Sequence, residues 1–251
     1  MSTYVLVHGG WHGAWCWERL APLLRPGGHT VVAPDLPGHG GNPTPPEWTH
    51  AGDEVAMLGQ ILETQPEPVI MVGHSSGGML ISAAAEQRPS AVRGLVYLAA
   101  FLLPPGVAPP EVMRTDAESG LNAALVVDRE GGTVSIRPDA LRDVFYGDCS
   151  DEDVAWAVSR VVPEPLRPPM PQLPATSATP APNAVPRFYI ETLKDRALGP
   201  AAQRRMYTAL PCRQVYSLET SHSPFLSAPR ALADCLLDID RELSATTAQD
   251  P

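Results

Sequence analysis

The sequence predicts an α/β protein with a mostly parallel central sheet, helices on both faces, and one long insertion. Short apolar, β-rich runs alternate with helical patterns through the first hundred residues. The alternation stops at "LLPPG" (102–106) and resumes with "PRFYIETL" (186–193). Strands separated by helical crossovers mark a parallel sheet covered on both sides. With 251 residues, 44% of them hydrophobic, the chain can bury a core of that size.

In chain order, "TYVLVH" (3–8) reads as a buried strand and "WCWERLAPLLR" (15–25) as an amphipathic helix that Gly27-Gly28 ends. "HTVVAPDL" (29–36) begins the next strand, and a helix over 52–64 leads to "PVIMVGH" (68–74). A helix at 76–87 and the strand "VRGLVYLAAF" (92–101) repeat the unit. Residues 103–185 read as helical fragments mixed with proline, and 166–186 are too proline-rich for a regular element. Beyond them come the strand at 186–193, a helix at 201–210, the strand "RQVYSLET" (213–220) and a last helix at 227–243. Residues 1–102 and 186–251 are therefore expected to form one core, with 103–185 as a helical cap inserted after the strand at 92–101. No internal repeat is visible.

The formal net charge of -10 argues against nucleic acid and anionic membranes as partners, because phosphates would be repelled. Lys194 is the only lysine, and this skew together with many Ala and Pro resembles GC-rich bacterial coding. Cys16, Cys149, Cys212 and Cys235 are scattered without a CxxC pair, as expected of reduced thiols rather than disulfides or zinc ligands. Met1-Ser2-Thr3 runs straight into the first strand without a basic n-region, and no apolar stretch approaches the ~20 residues of a membrane helix. The expected location is the cytoplasm.

The stretch "VIMVGHSSGGML" carries the chemistry. "GHSSG" (73–77) satisfies G-x-S-x-G with an apolar strand before it and a helix after it. A turn that sharp needs small flanking residues, which Gly73 and Gly77 supply. The side chain at its apex stands clear at the carboxyl ends of the strands. Register selects Ser75 for the apex. Ser76 is then one position into the helix, with its backbone N–H free to meet a developing oxyanion. A bare G-x-S-x-G also occurs in ordinary Gly/Ser turns, so the partners must be found.

A serine hydroxyl needs a base, and the base an orienting carboxylate, in the chain order Ser, acid, His. His222 is the only histidine after Ser75, on a loop between the last strand-like run and the final helix. Asp195 follows the penultimate strand by a short loop, whereas Glu191 lies within that strand and is directed by the pleat. Asp148, Asp151 and Asp153 fall in the cap and are poorer candidates. A second oxyanion donor should come from the loop after the first strand, "HGGWHGAW" (8–15), where Gly10 brings its N–H close without a Cβ in the way. His8 and His12 have the i, i+4 spacing of metal ligands, but Gly9, Gly10 and Gly13 deny the helix that spacing requires.

Together these segments resemble the α/β-hydrolase superfamily along most of the chain outside the cap. More narrowly, "VLVHGGWHGAWCW" (5–17), "VGHSSGGM" (72–79), "VYLAAFLLP" (96–104), "YIETLKDRA" (189–197) and "SHSPFLSAP" (221–229) are similar to the branch holding plant methyl esterases, α-hydroxynitrile lyases and bacterial pyrethroid-type carboxylesterases. By position the resemblance implies Ser75 as nucleophile, His222 as base, Asp195 as acid, and Gly10 with Ser76 as oxyanion amides. The lyases of that branch carry a threonine where this chain has Gly9 and a lysine where it has Ser223. Hydrolysis is therefore the favoured chemistry.

The expected reaction is acyl transfer to water from a small to medium, uncharged, fairly hydrophobic ester, with a methyl ester or lactone of a secondary metabolite in view. It requires no metal or organic cofactor. Trp11, His74, Leu103, Phe145 and Trp156 are candidate substrate contacts, with core packing as the alternative for each. A lyase or non-hydrolytic cyclase using the same constellation, and a silent small-ligand binder, remain as other readings. A homodimer is compatible with the sequence, which does not specify an oligomeric state.

Overall fold

The computed structural model describes residues 1–45, 52–166 and 185–247. Most of the proline-rich stretch expected to be an extended loop, and part of the expected cap with it, lies outside the described residues.

The chain starts with β1 (Thr3–Val7), followed by α1 (Ala21–Leu24), β2 (Thr30–Val32), α2 (Asp53–Glu63), β3 (Val69–His74), α3 (Gly77–Gln87) and β4 (Val92–Leu98). An excursion then carries α4 (Pro109–Thr115), α5 (Leu121–Ala124), β5 (Leu125–Asp128), β6 (Thr133–Ile136), α6 (Leu141–Phe145), α7 (Asp151–Val158) and β7 (Glu164–Pro165). The chain returns through β8 (Arg187–Thr192), α8 (Pro200–Ala209), β9 (Gln214–Leu218), α9 (Pro224–Ser227) and α10 (Pro229–Thr247).

The main sheet has six strands in the order β2-β1-β3-β4-β8-β9, with every neighbouring pair parallel. β8 lies directly beside β4 although some ninety residues separate them, so the excursion leaves and re-enters one sheet at adjacent strands. The central strands are buried on both faces, and successive side chains go to opposite sides. Tyr4, Leu6, Ile70 and Val72 join a cluster with Leu232 and Leu236 of α10. Val5, Val7, Met71 and Tyr97 join one with Leu58 of α2, Ile81 of α3 and Met206 of α8. Two apolar layers therefore clamp the sheet and hold its carboxyl ends in fixed register. No helix among the described residues is long and apolar enough to cross a membrane.

Two expectations need correction. The single helix over 15–25 is instead a tight turn at Ala14–Trp17, the short α1, and a second tight turn at Arg25–Gly27. Pro22 and Pro26 start new helical turns and cannot continue old ones. The expected last helix is α10, which starts at Pro229 with the short α9 before it. The excursion is not purely helical: β5, β6 and β7 form an antiparallel sheet. Its hairpin turns at "DREGG" (128–132), where Asp128 Oδ1 accepts from the backbone of Glu130 and Gly131 and Gly132 adopts φ +63. Two β-branched runs around such a turn are a hairpin signal readable from sequence alone.

Candidate active site

Each functional loop leaves the same edge of the sheet. Among the described residues, three non-glycine residues have positive φ: Trp11 at 63°, Ser75 at 53° and Ala99 at 44°. They follow β1, β3 and β4, so the backbone strain lies where those strands end. Such conformations cost about 1–3 kcal/mol each and persist only where surrounding bonds over-determine them. At Ser75 the backbone N–H donates to Leu98 O (3.2 Å), and its carbonyl accepts from Gly78 (3.1 Å) and Phe101 (3.0 Å). The elbow is also tightly packed. A Cβ on Gly73 would stand 2.6 Å from Gly77 O, and one on Gly77 would stand 2.8 Å from both Val7 O and His8 O.

His222 follows β9 and is buried. Its Nδ1 donates to Asp195 Oδ2 at 2.7 Å, and its backbone carbonyl accepts from His74 Nε2 at 2.9 Å. The proton on Nδ1 leaves Nε2 as the basic nitrogen. Asp195, also buried, follows β8. Its Oδ2 further accepts from Thr192 Oγ1 (2.8 Å) and Gln203 Nε2 (3.1 Å), and Oδ1 from the amides of Ala197 and Leu198 (both 2.8 Å). Every bond is one it accepts, as an ionised carboxylate does. Ser75 is half-buried, and among the described residues its hydroxyl makes no hydrogen bond. The His74 ring, on the residue before it, lies 4.5 Å from the His222 ring between centroids. Serine, imidazole and carboxylate thus share one neighbourhood, with the imidazole–carboxylate half already bonded. Nucleophile–base bonds are often long until substrate arrives.

The loop after β1 is built from histidines in fixed tautomers. His8 Nδ1 donates to Gly9 O (2.8 Å), and its Nε2 accepts from the Leu36 amide (3.1 Å). His12 Nδ1 donates to Gly10 O (2.8 Å), and its Nε2 accepts from the Tyr146 hydroxyl (2.9 Å). Burial pulls His8 down to about 3, helped by neighbouring His39, and pulls His12 down to about 4. Burial and then neighbouring His222 hold His74 well below the usual imidazole range. These rings therefore brace the loop as neutral groups. The Gly10 N–H donates to Ser76 Oγ at 2.8 Å, so the two expected oxyanion residues are joined through a side chain that the sequence reading left idle.

The expected substrate contacts divide. Phe145 stacks on His222 with 5.6 Å between centroids and 29° between planes, and so covers that ring. Trp11 lies against Phe145 and is tied to the excursion. His74 is completely buried behind His222, a support rather than a surface open to substrate. Leu103 packs against the cluster under α2 and α3. Trp156 meets Trp15 edge-on, with 79° between the planes, and lies under the Arg160 guanidinium. Glu164, Gln203 and Thr192 had no motif to announce them. Gln203 and Thr192 reach Asp195, and Glu164 reaches the β1 loop.

A parallel sheet with a strained serine between strand and helix, and a His–Asp pair after the later strands, is the architecture of the α/β hydrolases. The model of the Alpha/beta hydrolase family matches residues 4–235, and the chain belongs to that family. Methylesterase 18 of Arabidopsis thaliana is 33% identical over 260 residues, covering 96% of this chain and 98% of that protein. The pyrethroid hydrolase of Sphingobium wenxiniae is 34% identical over 255 residues, covering 95% and 87%. Among solved structures, tomato Methylketone Synthase I complexed with 2-tridecanone superposes with a TM-score of 0.85 at 28% identity, covering 96% of this chain and 98% of that one.

Proposed function

We propose that the protein is a carboxylic ester hydrolase acting through an acyl-enzyme, with the excursion as its cap. The observation that carries this reading is the buried His222–Asp195 bond beside Ser75 on its strained turn. Ser75 Oγ attacks the ester carbonyl as His222 Nε2 takes its proton, and Asp195 stabilises the imidazolium. The tetrahedral oxyanion accepts from the amides of Ser76 and Gly10, each such donor contributing on the order of 10²–10³ in rate. His222 then protonates the departing alcohol, and a water activated by the same ring releases the acid.

The substrate is an uncharged, fairly hydrophobic ester. Phe145 over the base supplies an apolar wall. Arg196, next to the acid in sequence, is exposed and pairs with Asp143 at 3.1 Å, leaving it no evident part in binding an anion. Relatives named as methylesterases and as a pyrethroid hydrolase support the same class.

The lyase reading loses ground on two residues. A Cβ at Gly9 would stand 2.7 Å from Ser75 Cβ, so the lyases' threonine does not fit this loop. Ser223 is buried and uncharged where they place a lysine, and Lys194 is exposed and faces Glu219.

The test is turnover of p-nitrophenyl acetate and butyrate by the wild type and by Ser75→Ala, with cyanide release from mandelonitrile measured alongside. Ester turnover abolished by the substitution supports the reading; cyanide release without ester turnover overturns it.

A further inference from the structure

The excursion grips the β1 loop through Trp11. The Trp11 backbone N–H donates to Glu164 Oε2 (3.0 Å), its carbonyl accepts from the Val162 amide (3.0 Å), and its indole N–H donates to Val134 O (2.8 Å). All three partners belong to the excursion. Glu164 Oε2 also accepts from His39 Nε2 (2.8 Å), so one carboxylate oxygen joins the loops that follow β1 and β2.

The peptide held in this way is the one between Gly10 and Trp11. Glu164 takes its N–H, and His12, itself bonded to Tyr146 of the excursion, takes its carbonyl. The next peptide back, between Gly9 and Gly10, carries the N–H proposed to receive the oxyanion. A single glycine links the two planes, and glycine has no side chain to limit its dihedrals. His8 Nδ1 holds the Gly9–Gly10 plane by its carbonyl, Gly9 O, at 2.8 Å, so the direction of the Gly10 N–H is set by His8 on one side and by what anchors Trp11 on the other. Glycine at position 10 also admits the carboxylate, since a Cβ there would stand 3.0 Å from Glu164 Oε2.

We propose that Glu164 is a positioning residue for the hydrolytic step: by accepting the Trp11 N–H, it holds the Gly10 amide where the oxyanion forms. Seating of the excursion on the core and stabilisation of the transition state are then coupled through one hydrogen bond. This inference rests on the esterase reading above.

The test compares wild type, Glu164→Ala and Glu164→Gln on p-nitrophenyl acetate, whose acyl group is too small to need a shaped pocket, and on the longer p-nitrophenyl octanoate. Glu164→Ala should lose at least tenfold in kcat on the acetate with KM changed less than threefold. Its affinity for a boronic acid that mimics the tetrahedral intermediate should fall in proportion. Glu164→Gln keeps an oxygen that can accept the Trp11 N–H and should recover most of the loss. Wild-type kcat on acetate in Glu164→Ala, with KM raised only for the octanoate, would make Glu164 a pocket wall and overturn the proposal. So would equal loss in both variants. If Glu164→Ala does not fold, Glu164→Asp, whose carboxylate is one methylene short of the Trp11 N–H, should lower kcat several-fold at unchanged KM; wild-type kcat there also overturns the proposal. Failure of the esterase reading is separate, because the wild type would then not turn over either ester.

Discussion

The backbone N–H of Gly10 and the hydroxyl oxygen of Ser76 are 2.8 Å apart, a hydrogen bond across the mouth of the proposed oxyanion site. An incoming carbonyl oxygen would need the same N–H, so the Ser76 hydroxyl is a competitor that must swing aside. A neutral hydrogen bond of this kind is worth about 1 kcal/mol net. Ser76→Ala should therefore keep full activity or gain up to about fivefold in kcat/KM on p-nitrophenyl acetate. A loss comparable to that of Ser75→Ala would show that Ser76 acts through its side chain and that the register is misassigned.

The two acidic residues around β8 have separate duties. Asp195 faces His222, whereas Glu191 accepts from Arg204 (3.0 Å), Tyr207 (3.3 Å) and Ser217 (2.7 Å) and, among the described residues, makes no bond to Ser75, His222 or Asp195. In Asp195→Asn the amide oxygen can keep the two backbone amides, but its NH2 then faces His222 Nδ1 and favours the wrong tautomer. We expect kcat to fall about 10³–10⁴-fold with the fold intact, the scale seen when such an acid becomes an amide. Glu191→Gln weakens an ion pair with a half-exposed arginine and should change kcat less than twofold. The reverse ranking would reassign the acid.

What the sequence disclosed follows from how local each constraint is. The Ser75 turn, the paired strands and the single downstream histidine are set by neighbours in sequence and by the fold's chain order, so pattern and spacing suffice. Asp195 was separable from Glu191 because a strand pleat and a loop direct side chains differently. Glu164 and Tyr146 act across gaps of 153 and 134 residues, which no short spacing encodes, and Gln203, only 8 residues from Asp195, belongs to no motif that marks it. The β5–β6 hairpin was legible in "LVVDREGGTVSI" but was masked by the surrounding prolines and short helical patterns. His8 and His12 have the spacing of metal ligands without the helix that spacing requires, and each braces a backbone carbonyl with one ring nitrogen and accepts with the other.

Those neutral imidazoles make stability depend on pH. Unfolded, the rings take up protons below about pH 6.5; folded, His12 resists until about 4 and His8 until about 3. Within that window the unfolded state binds more protons, so stability is complete above pH 6.5 and falls as pH drops toward the folded values. Each ring removes up to about 1.4 kcal/mol per pH unit in its window. Thermal midpoints should therefore begin to fall just below pH 6.5, before carboxylates protonate, and lie roughly 10 °C lower at pH 5 than at pH 7. A midpoint flat down to pH 5 would mean that these rings are not held neutral.

Gly9 leaves no room for a side chain beside Ser75. A Cβ there would stand 2.7 Å from Ser75 Cβ, 3.0 Å from His74 Nδ1 and 3.2 Å from His74 O. None of these is the loose end of a flexible side chain: Ser75 is held by its backbone bonds, and His74 is bonded to His222. Relief must come from moving the nucleophile or the β1 loop, and overpacking of this kind costs about 1–3 kcal/mol. Gly9→Ala should lower kcat on p-nitrophenyl acetate at least a hundredfold and lower the thermal midpoint by several degrees. Gly9→Thr should be worse on both counts and should release no cyanide from mandelonitrile. A Gly9→Thr protein that melts like the wild type and cleaves the cyanohydrin would mean that the loop has room for the lyase residue, and that the steric case for hydrolysis is wrong.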